Sequence, residues 1–352
     1  MIKVDNSYKT RLFTNASSDE IDDLKKRVAG KILEIEEGSQ DYNELAMFEN
    51  ESCRDNISVF LYKKKIDEAI ATLLNDEAIS EDFKDELRSL KNNLFKILIG
   101  DFQVIKAYLV ELDNSNSKLI HRDTTVEKSD DFKKYQKRFE DLYKSQLSGS
   151  EKFKKSFFEI FETMNVCPYC NRNFINPIYK EERVGQDNSK QAPDIEHFFP
   201  KSIYPFLALS ISNLLPSCAF CNKIKSDVDT YPNCKSPYEI EENDFKFSFD
   251  SLDVSRRTIK LEGTSDNSKI LHLENLYAEV HNQFVDEVYL ESRKYPLENR
   301  RFLNRFFALP LDSQERLYKR KMCNYYLEDD FNKQPLSKMT KDLFMQIRED
   351  EG

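Results

Sequence analysis

The chain has 352 residues, of which 39% are hydrophobic and 33% are charged, and its formal net charge is −10. This length predicts two or three domains, and the small number of glycines, 7, favours a mainly α-helical protein over a sandwich or barrel. The acidic balance argues against a protein that coats DNA through a general positive field. No apolar run reaches the roughly 20 residues of a membrane span, and the first residues lack a signal-peptide core. A cytoplasmic protein is therefore expected.

Residues 1–150 are predicted to form a helical region that contains no catalytic motif. Ser17 and Glu20 fit a capping box ahead of an apolar stripe over 21–35. Further helices are predicted over 55–74, 81–97, 102–112 and 131–147. We interpret this region as a scaffold or as a docking surface for a partner.

The middle of the chain, 151–236, is predicted to be a small module of short strands and loops. A helix over 152–164 leads into it, and 180–192 is a polar insertion that we expect to be mobile. The strands and loops are expected to surround two cysteine pairs. The module should therefore depend on a metal site for its stability, because it is too small to build a core.

The last part of the chain, 237–352, is predicted to begin with a β-hairpin and to end in helices. Alternating apolar and polar residues over 245–249 and 259–261 indicate the two strands of the hairpin. A helical pattern returns over 268–349 and is interrupted by three prolines. We expect these helices to extend the scaffold or to form part of a docking surface.

Four of the seven cysteines form two Cys-x-x-Cys pairs, Cys167/Cys170 and Cys218/Cys221. Each pair places two thiolates on one side of a tight turn, and two such turns complete a tetrahedral zinc site. A thioredoxin-like redox motif requires one pair at the start of a helix, so structural zinc is the preferred interpretation. The other cysteines are interpreted as ordinary buried thiols: Cys53, Cys234 and Cys323.

Residues typical of a hydrolytic metal site lie between and beside these pairs. Glu196 and His197 precede Pro200, and Asn222 directly follows the last cysteine, so a bound zinc would fix its position. A neutral histidine can take a proton from water, and oxygen ligands suit Mg²⁺ or Mn²⁺. The remaining histidines are interpreted as incidental: His121, His272 and His281.

In order and spacing these residues resemble the HNH (ββα-metal) endonuclease family, in its zinc-containing branch with two cysteine pairs. The matching residues are Glu196-His197, Pro200, Asn213-Leu214, the second cysteine pair, Asn222 and Lys225. Glu196 stands where aspartate is usual and Asn222 where histidine is common, and both residues still offer oxygen ligands. The resemblance covers 165–228. It implies a small zinc-stabilised ββα-metal module, which the mainly α-helical scaffold predicted from composition and helical patterns would carry.

The resemblance also implies an activity, the hydrolysis of phosphodiester bonds with 5′-phosphate products. It makes His197 the general base that activates water, and it makes Glu196 and Asn222 the ligands of a catalytic Mg²⁺ or Mn²⁺. Asn213 would hold the loop between the two strands and so position the histidine. Lys201 and Lys225 are candidates for phosphate contact or for support of the site, with ordinary solvated lysines as the alternative. The glutamate at 196 leaves open whether Asp194 shares the metal or supports the site.

Substrate and partners are also expectations from the resemblance. The local sequence is most similar to Septu-type HNH subunits of bacterial anti-phage defence, which work beside an ABC-class ATPase, so an ATPase or sensor partner is implied. DNA is the favoured substrate, and structured RNA such as tRNA is the alternative. Residues 151–235 hold 11 Lys/Arg and 10 Asp/Glu, a balance that permits a local nucleic-acid groove. A zinc-stabilised module that binds nucleic acid or protein without cutting is a second alternative.

Overall fold

The computed structural model confirms a mainly α-helical protein with short strand pairs. The helix that the sequence predicts over 21–35 lies outside the described residues, as do Cys53 and Cys323. None of the helices in the described part is both long and apolar enough to cross a membrane. The structure describes residues 56–99, 102–149, 164–176, 178–179, 189–191, 193–250, 257–263, 265–294 and 331–350, and the single residues 154, 157, 158, 161 and 306.

Four of the helices predicted before the cysteine pairs lie in the described residues and occur where they were predicted, whereas the helix predicted over 152–164 lies largely outside them. Their bounds are α1 Asn56–Leu74, α2 Glu81–Ile99, α3 Phe102–Asn114 and α4 Asp130–Tyr143. Ser129 caps α4, since its hydroxyl oxygen accepts from the backbone N–H of Phe132 at 3.2 Å. The prediction extended this last helix to 147. The α-helix instead ends at Tyr143 and continues as a π-helical turn, Lys144–Ser148.

Short strands follow the first cysteine pair. Strand β1, Ile178–Tyr179, pairs antiparallel with β2, Ser189–Gln191, so the end of the predicted polar insertion is a strand. Strand β3, Asp194–His197, pairs antiparallel with β4, Leu214–Ser217. Helix α5, Ala219–Lys225, begins directly after β4 and has Cys218 as its N-cap residue.

The loop between β3 and β4, residues 198–213, packs into the helical region. The ring of Phe199 stacks on Phe102 of α3 at a centroid distance of 5.2 Å, and Phe206 meets Tyr108 edge-on at 5.8 Å. The Ser210 hydroxyl donates to the carbonyl of Ile97 at the end of α2. The aromatic residues of this loop are fully buried, as expected for packing residues. The helices therefore set the position of the hairpin.

The C-terminal part contains the predicted hairpin, with helices packed against it. Its elements are β5 Phe245–Phe249, β6 Ile259–Gly263, α6 Asn267–Ile270, α7 Leu273–Lys294 and α8 Ser337–Asp350. Strands β5 and β6 are antiparallel. Side chains of α8 bind the free edge of β5, because Asp342 accepts from the N–H of Phe247 at 2.9 Å and Gln346 bonds both backbone groups of Phe249.

The first cysteine turn is joined to the start of α8 by Asn171. This residue has a positive φ of 49°, a conformation in which asparagine is tolerated. Its side-chain amide donates to the carbonyl of Phe331 at 3.0 Å, and its side-chain oxygen accepts from the N–H of Lys338 at 3.1 Å. Its backbone carbonyl accepts from the N–H of Leu336 at 2.6 Å. Residues far apart in sequence are thus held together at the cysteine cluster.

Candidate metal centre and adjoining polar site

The four paired cysteines converge on one point. Their sulfur atoms all lie within 4.8 Å of one another, and all four residues are buried. Sulfurs placed about 2.3 Å from a central zinc, at the corners of a tetrahedron, lie about 3.8 Å apart. The separation of 4.0 Å between the sulfurs of Cys170 and Cys218 is close to this value. The cluster can therefore hold a metal ion, and thiolates in this arrangement suit zinc.

Backbone and side-chain N–H groups point at these sulfurs, as they do around bound thiolates. The N–H of Arg172 donates to Cys170 at 3.4 Å, and the N–H of Cys221 donates to Cys218 at 3.5 Å. The amide of Asn173 adds a further bond to Cys218 at 3.3 Å. Burial raises the pKa of the Cys167 thiol well above its usual value, so a cation is needed to keep this thiolate charged.

Cys234 is buried, as expected, and lies outside the four-sulfur group. The group of four cysteines is the one place in the described ranges where three or more His, Cys, Asp or Glu side chains could share a metal. A catalytic cation would therefore need ligands of another kind, such as amide oxygens and water, beside one or two carboxylates.

His197 ends strand β3 and is held by a backbone carbonyl. Its Nε2 atom lies 3.0 Å from the carbonyl oxygen of Ala208, in the loop between the strands. A carbonyl oxygen can only accept, so Nε2 carries the hydrogen in this contact. Burial lowers the pKa of His197 to about 3, with smaller contributions from the charges of Lys201 and Lys225. The imidazole is therefore neutral, and its Nδ1 atom is the one that can accept a proton.

Glu196 pairs with Lys225 of α5. The amine of Lys225 lies 2.6 Å from a Glu196 carboxylate oxygen, and both side chains are almost fully buried. The same amine donates to the carbonyl of His197 at 2.8 Å. Burial raises the pKa of Glu196, and the nearby Lys225 opposes that shift. Of the two roles expected for Lys225, this placement favours support of the site, since its amine faces inward.

Asp194 and Asn222 form a second polar pair, nearer the surface. The Asn222 amide nitrogen donates to a carboxylate oxygen of Asp194 at 2.9 Å. This bond turns the amide oxygen of Asn222 away from Asp194, and both residues are partly exposed. Carboxylate and amide oxygens are ligands that Mg²⁺ accepts. The two residues thus offer oxygen types that suit a hard cation, and they would share one once the Asn222 amide turned its oxygen toward Asp194; Glu196 already has a cationic partner.

Asn213 is fully buried and binds the loop that follows β3. Its side-chain oxygen accepts from the N–H of Phe199 at 2.8 Å. Its amide nitrogen donates to the carbonyls of Phe199 and Leu207 at 3.0 and 3.1 Å. These bonds hold the loop from Phe199, two residues after His197, to Leu207, which precedes the Ala208 carbonyl that binds the imidazole.

Tyr143, at the end of α4, contacts the imidazole of His197 from the helical region. The two rings meet edge-on with centroids 4.7 Å apart. The amine of Lys201 lies over the Tyr143 ring, 4.6 Å from its centroid. Burial and the charges of Glu196 and Asp194 raise the pKa of Tyr143 to about 12, so its hydroxyl remains protonated.

Sequence reasoning did not identify Tyr143 or Ala208 as parts of this site. Tyr143 continues a buried stripe on α4, so its spacing is that of a core residue. Ala208 contributes only a backbone carbonyl, a group that every residue has, so its residue type does not reveal this role. The other histidines with described contacts bond elsewhere: His121 to the carbonyl of Val126 and His281 to Arg172.

No family model matches the chain, and comparisons with curated proteins and with solved structures find no match.

Proposed function

We propose that this chain is a metal-dependent endonuclease of the HNH type, in which β3, β4 and α5 form the ββα-metal module. The main support is the state of His197. It is a neutral imidazole whose Nε2–H is fixed on Ala208, which leaves Nδ1 as a base. Oxygen donors that suit Mg²⁺ lie on the same hairpin and helix. Hydrolysis of a phosphodiester by activated water uses a neutral base and a divalent cation of this kind.

In the proposed reaction, His197 takes a proton from the water that attacks phosphorus. The Ala208 carbonyl keeps the imidazole in the tautomer that can do so. Asp194 and Asn222 would hold Mg²⁺ or Mn²⁺, with Glu196 as a further candidate ligand, and such a cation stabilises charge on the phosphate and the leaving oxygen. Lys201, partly exposed, is placed to contact a phosphate. The four cysteines would hold a structural zinc that fixes the start of α5.

For the substrate we favour double-stranded DNA, with structured RNA such as tRNA as the alternative. The similarity of the local sequence to anti-phage HNH subunits favours DNA. Attack at a phosphodiester does not itself distinguish the sugar, so the groove around the site has to do so. An assay must therefore include both polymers.

We further propose that the nuclease is the effector of a bacterial anti-phage system and works with an ABC-class ATPase or a sensor. This proposal is supported by the local sequence similarity and by an acidic body that discourages binding to DNA without a partner. Deletion of 1–150 is an unsuitable test, because the loop 198–213 packs on those helices. Co-expression with an ABC-class ATPase, followed by size-exclusion chromatography, tests the association directly.

The test of the activity is a cleavage assay on the zinc-loaded protein. Supercoiled DNA, linear DNA and tRNA are each incubated with Mg²⁺, Mn²⁺ or no divalent cation. Cleavage should require the added cation and should be lost in His197→Ala. The matched control is His121→Ala, because His121 also bonds a backbone carbonyl through Nε2 at 3.0 Å. Cleavage that survives in His197→Ala at equal zinc content would contradict the proposed role.

The alternative is a module that binds nucleic acid or protein without cutting it. The observation in its favour is the burial of His197, a residue that is only 6% exposed and is covered in part by Tyr143. A zinc-loaded protein that binds DNA tightly, yet cuts neither DNA nor RNA with either cation, would support this alternative over the nuclease.

A further inference from the structure

We infer that Tyr143 is a positioning residue of the site, so that the helical region supplies part of the active site and is more than a scaffold. This inference rests on the proposed function, because it concerns the base and the phosphate-binding cation of that reaction. Tyr143 lies 54 residues before His197 and belongs to none of the motifs of the cysteine-rich module.

The first argument is the contact with the imidazole. The edge-on packing of Tyr143 against His197, at 4.7 Å between centroids, limits rotation of the imidazole about its side-chain bonds. Ala208 fixes the ring at Nε2, and one hydrogen bond alone leaves the ring free to tilt about that bond. The aromatic contact restricts this remaining motion and so keeps Nδ1 in one direction.

The second argument is the position of Lys201. Its amine sits over the Tyr143 ring at 4.6 Å, a cation–π distance, and within the described ranges it forms no ion pair. Its charge acts on the Glu196 carboxylate at longer range, and without a direct ion pair its N–H groups stay available for a phosphate. The ring of Tyr143 therefore places this charge beside the histidine without neutralising it.

The third argument is the local backbone. Tyr143 is the last residue of α4, and the chain then widens into the π-helical turn Lys144–Ser148, a type of turn that is frequent at functional sites. Gly149 closes this turn, and a Cβ atom there would lie 2.5 Å from the carbonyl oxygen of Lys144. The end of α4 is thus built in one conformation, and it delivers Tyr143 to the imidazole.

The test compares Tyr143→Leu with Tyr143→Phe in the full-length, zinc-loaded protein. Loss of the ring should lower kcat about 10- to 100-fold, as expected for a misplaced base, whereas Tyr143→Phe should stay within about twofold of wild type. Lys201→Met should mainly raise KM. The matched control is Tyr289→Leu, because Tyr289 also carries a cation over its ring, Arg257 at 3.8 Å, but belongs to α7. It should leave both constants unchanged.

A spectroscopic measurement separates this inference from the proposed function. NMR spectra are recorded on protein with isotopically labelled histidine and tyrosine. The ring signals of His197 are those that disappear in His197→Gln, and through-space cross-peaks between this ring and the ring of Tyr143 are then measured. The cross-peaks should be present in the wild type, and the His197 signals should shift in Tyr143→Leu but not in Tyr143→Phe. This result is readable even if the wild type cuts no substrate.

Two outcomes would overturn the inference. One is the absence of these cross-peaks in the wild-type protein, which also decides the matter if Tyr143→Leu does not fold. The other is a folded Tyr143→Leu that cuts as fast as wild type or faster. Faster cutting would show that the Tyr143 ring blocks access to His197 instead of positioning it.

Discussion

The amine of Lys225 lies 2.6 Å from the carboxylate of Glu196 and also donates to the backbone carbonyl of His197, the residue that follows Glu196 in strand β3. One buried cation thus joins helix α5 to both residues of the proposed Glu-His pair. Because α5 begins at Cys218, the cysteine cluster and the histidine are connected through a single short helix. The metal centre is therefore in a position to set the geometry of the polar site.

Replacement of Lys225 should destabilise the fold more than the loss of its two contacts alone suggests. In Lys225→Met the buried Glu196 loses its counter-ion, which should lower the free energy of unfolding by about 3–5 kcal/mol. Chemical denaturation measures this change. The control is Lys223→Met on the exposed side of the same helix, which should change stability by less than about 0.5 kcal/mol.

Removal of both charges should be milder than removal of one. The double variant Lys225→Met/Glu196→Gln should recover most of the lost stability, since no uncompensated charge stays buried. A single variant as stable as Lys223→Met would show that the ion pair contributes nothing to the fold.

Asn213→Ala should weaken both the fold and the proposed activity. It removes three buried hydrogen bonds to the loop after β3 and leaves the N–H of Phe199 without a partner, at a cost of about 2–4 kcal/mol. Cleavage measured below the melting temperature should also fall, because the loop carries the Ala208 carbonyl. Asn282→Ala is the control, since Asn282 accepts from the N–H of Ile259 in the C-terminal hairpin. It should cost stability without slowing cleavage.

The sequence predicted the elements whose signals are local. The helices α1 to α3 follow from a 3.6-residue period, and the hairpin of β5 and β6 follows from alternation over two short runs. The cysteine cluster follows from two turns of fixed spacing, although only the fold brings Cys167 and Cys218 together. In each case the residues that carry the signal are the residues that make the contacts.

The parts that escaped prediction depend on contacts between distant segments. Tyr143 meets His197 only because the loop 198–213 packs among the helices, and nothing in the α4 stripe separates this residue from Tyr135 or Phe139. The direction of the Lys225 side chain is a similar case. A lysine near the end of a short helix suggests exposure, and its burial is decided by Glu196 on the neighbouring strand.

Zinc removal should loosen the C-terminal helix as well as the cysteine turns. Cys221→Ser should lower the zinc content from about one ion per chain. It should also increase hydrogen exchange over 331–340, because Asn171 in the first turn binds Phe331 and Lys338. Mass spectrometry measures both the zinc content and the hydrogen exchange. Cys234→Ser, a buried thiol outside the cluster, should keep zinc and exchange as in wild type, and equal exchange in the two variants would contradict the link.

Acidification should destabilise the protein through His197. Its pKa in the fold is about 3, against about 6.5 in an unfolded chain, so below pH 6.5 the unfolded chain binds a proton that the fold excludes. Stability should therefore fall between pH 6.5 and 3, by up to about 1.4 kcal/mol per pH unit from this group. His197→Gln should remove this part of the slope in unfolding experiments without added Mg²⁺. Above about pH 7.5 the free energy of unfolding of wild type and of His197→Gln should change with pH at the same rate. Equal rates of change at acid pH would count against a neutral imidazole.

The bonds of Asn171 to the start of α8 also bear on how the protein is made. Asn171 and Phe331 are 160 residues apart, so a ribosome has to synthesise all of the intervening chain before the two can meet. At about 5–20 residues per second this interval lasts roughly 8–32 s. Once Cys221 has been made, 110 residues before Phe331, both cysteine pairs are available to bind metal, while the polar groups of Asn171 still lack their final partners. Metal capture can therefore precede the docking of α8, which becomes the closing step of assembly and the one most exposed to interruption by a premature stop.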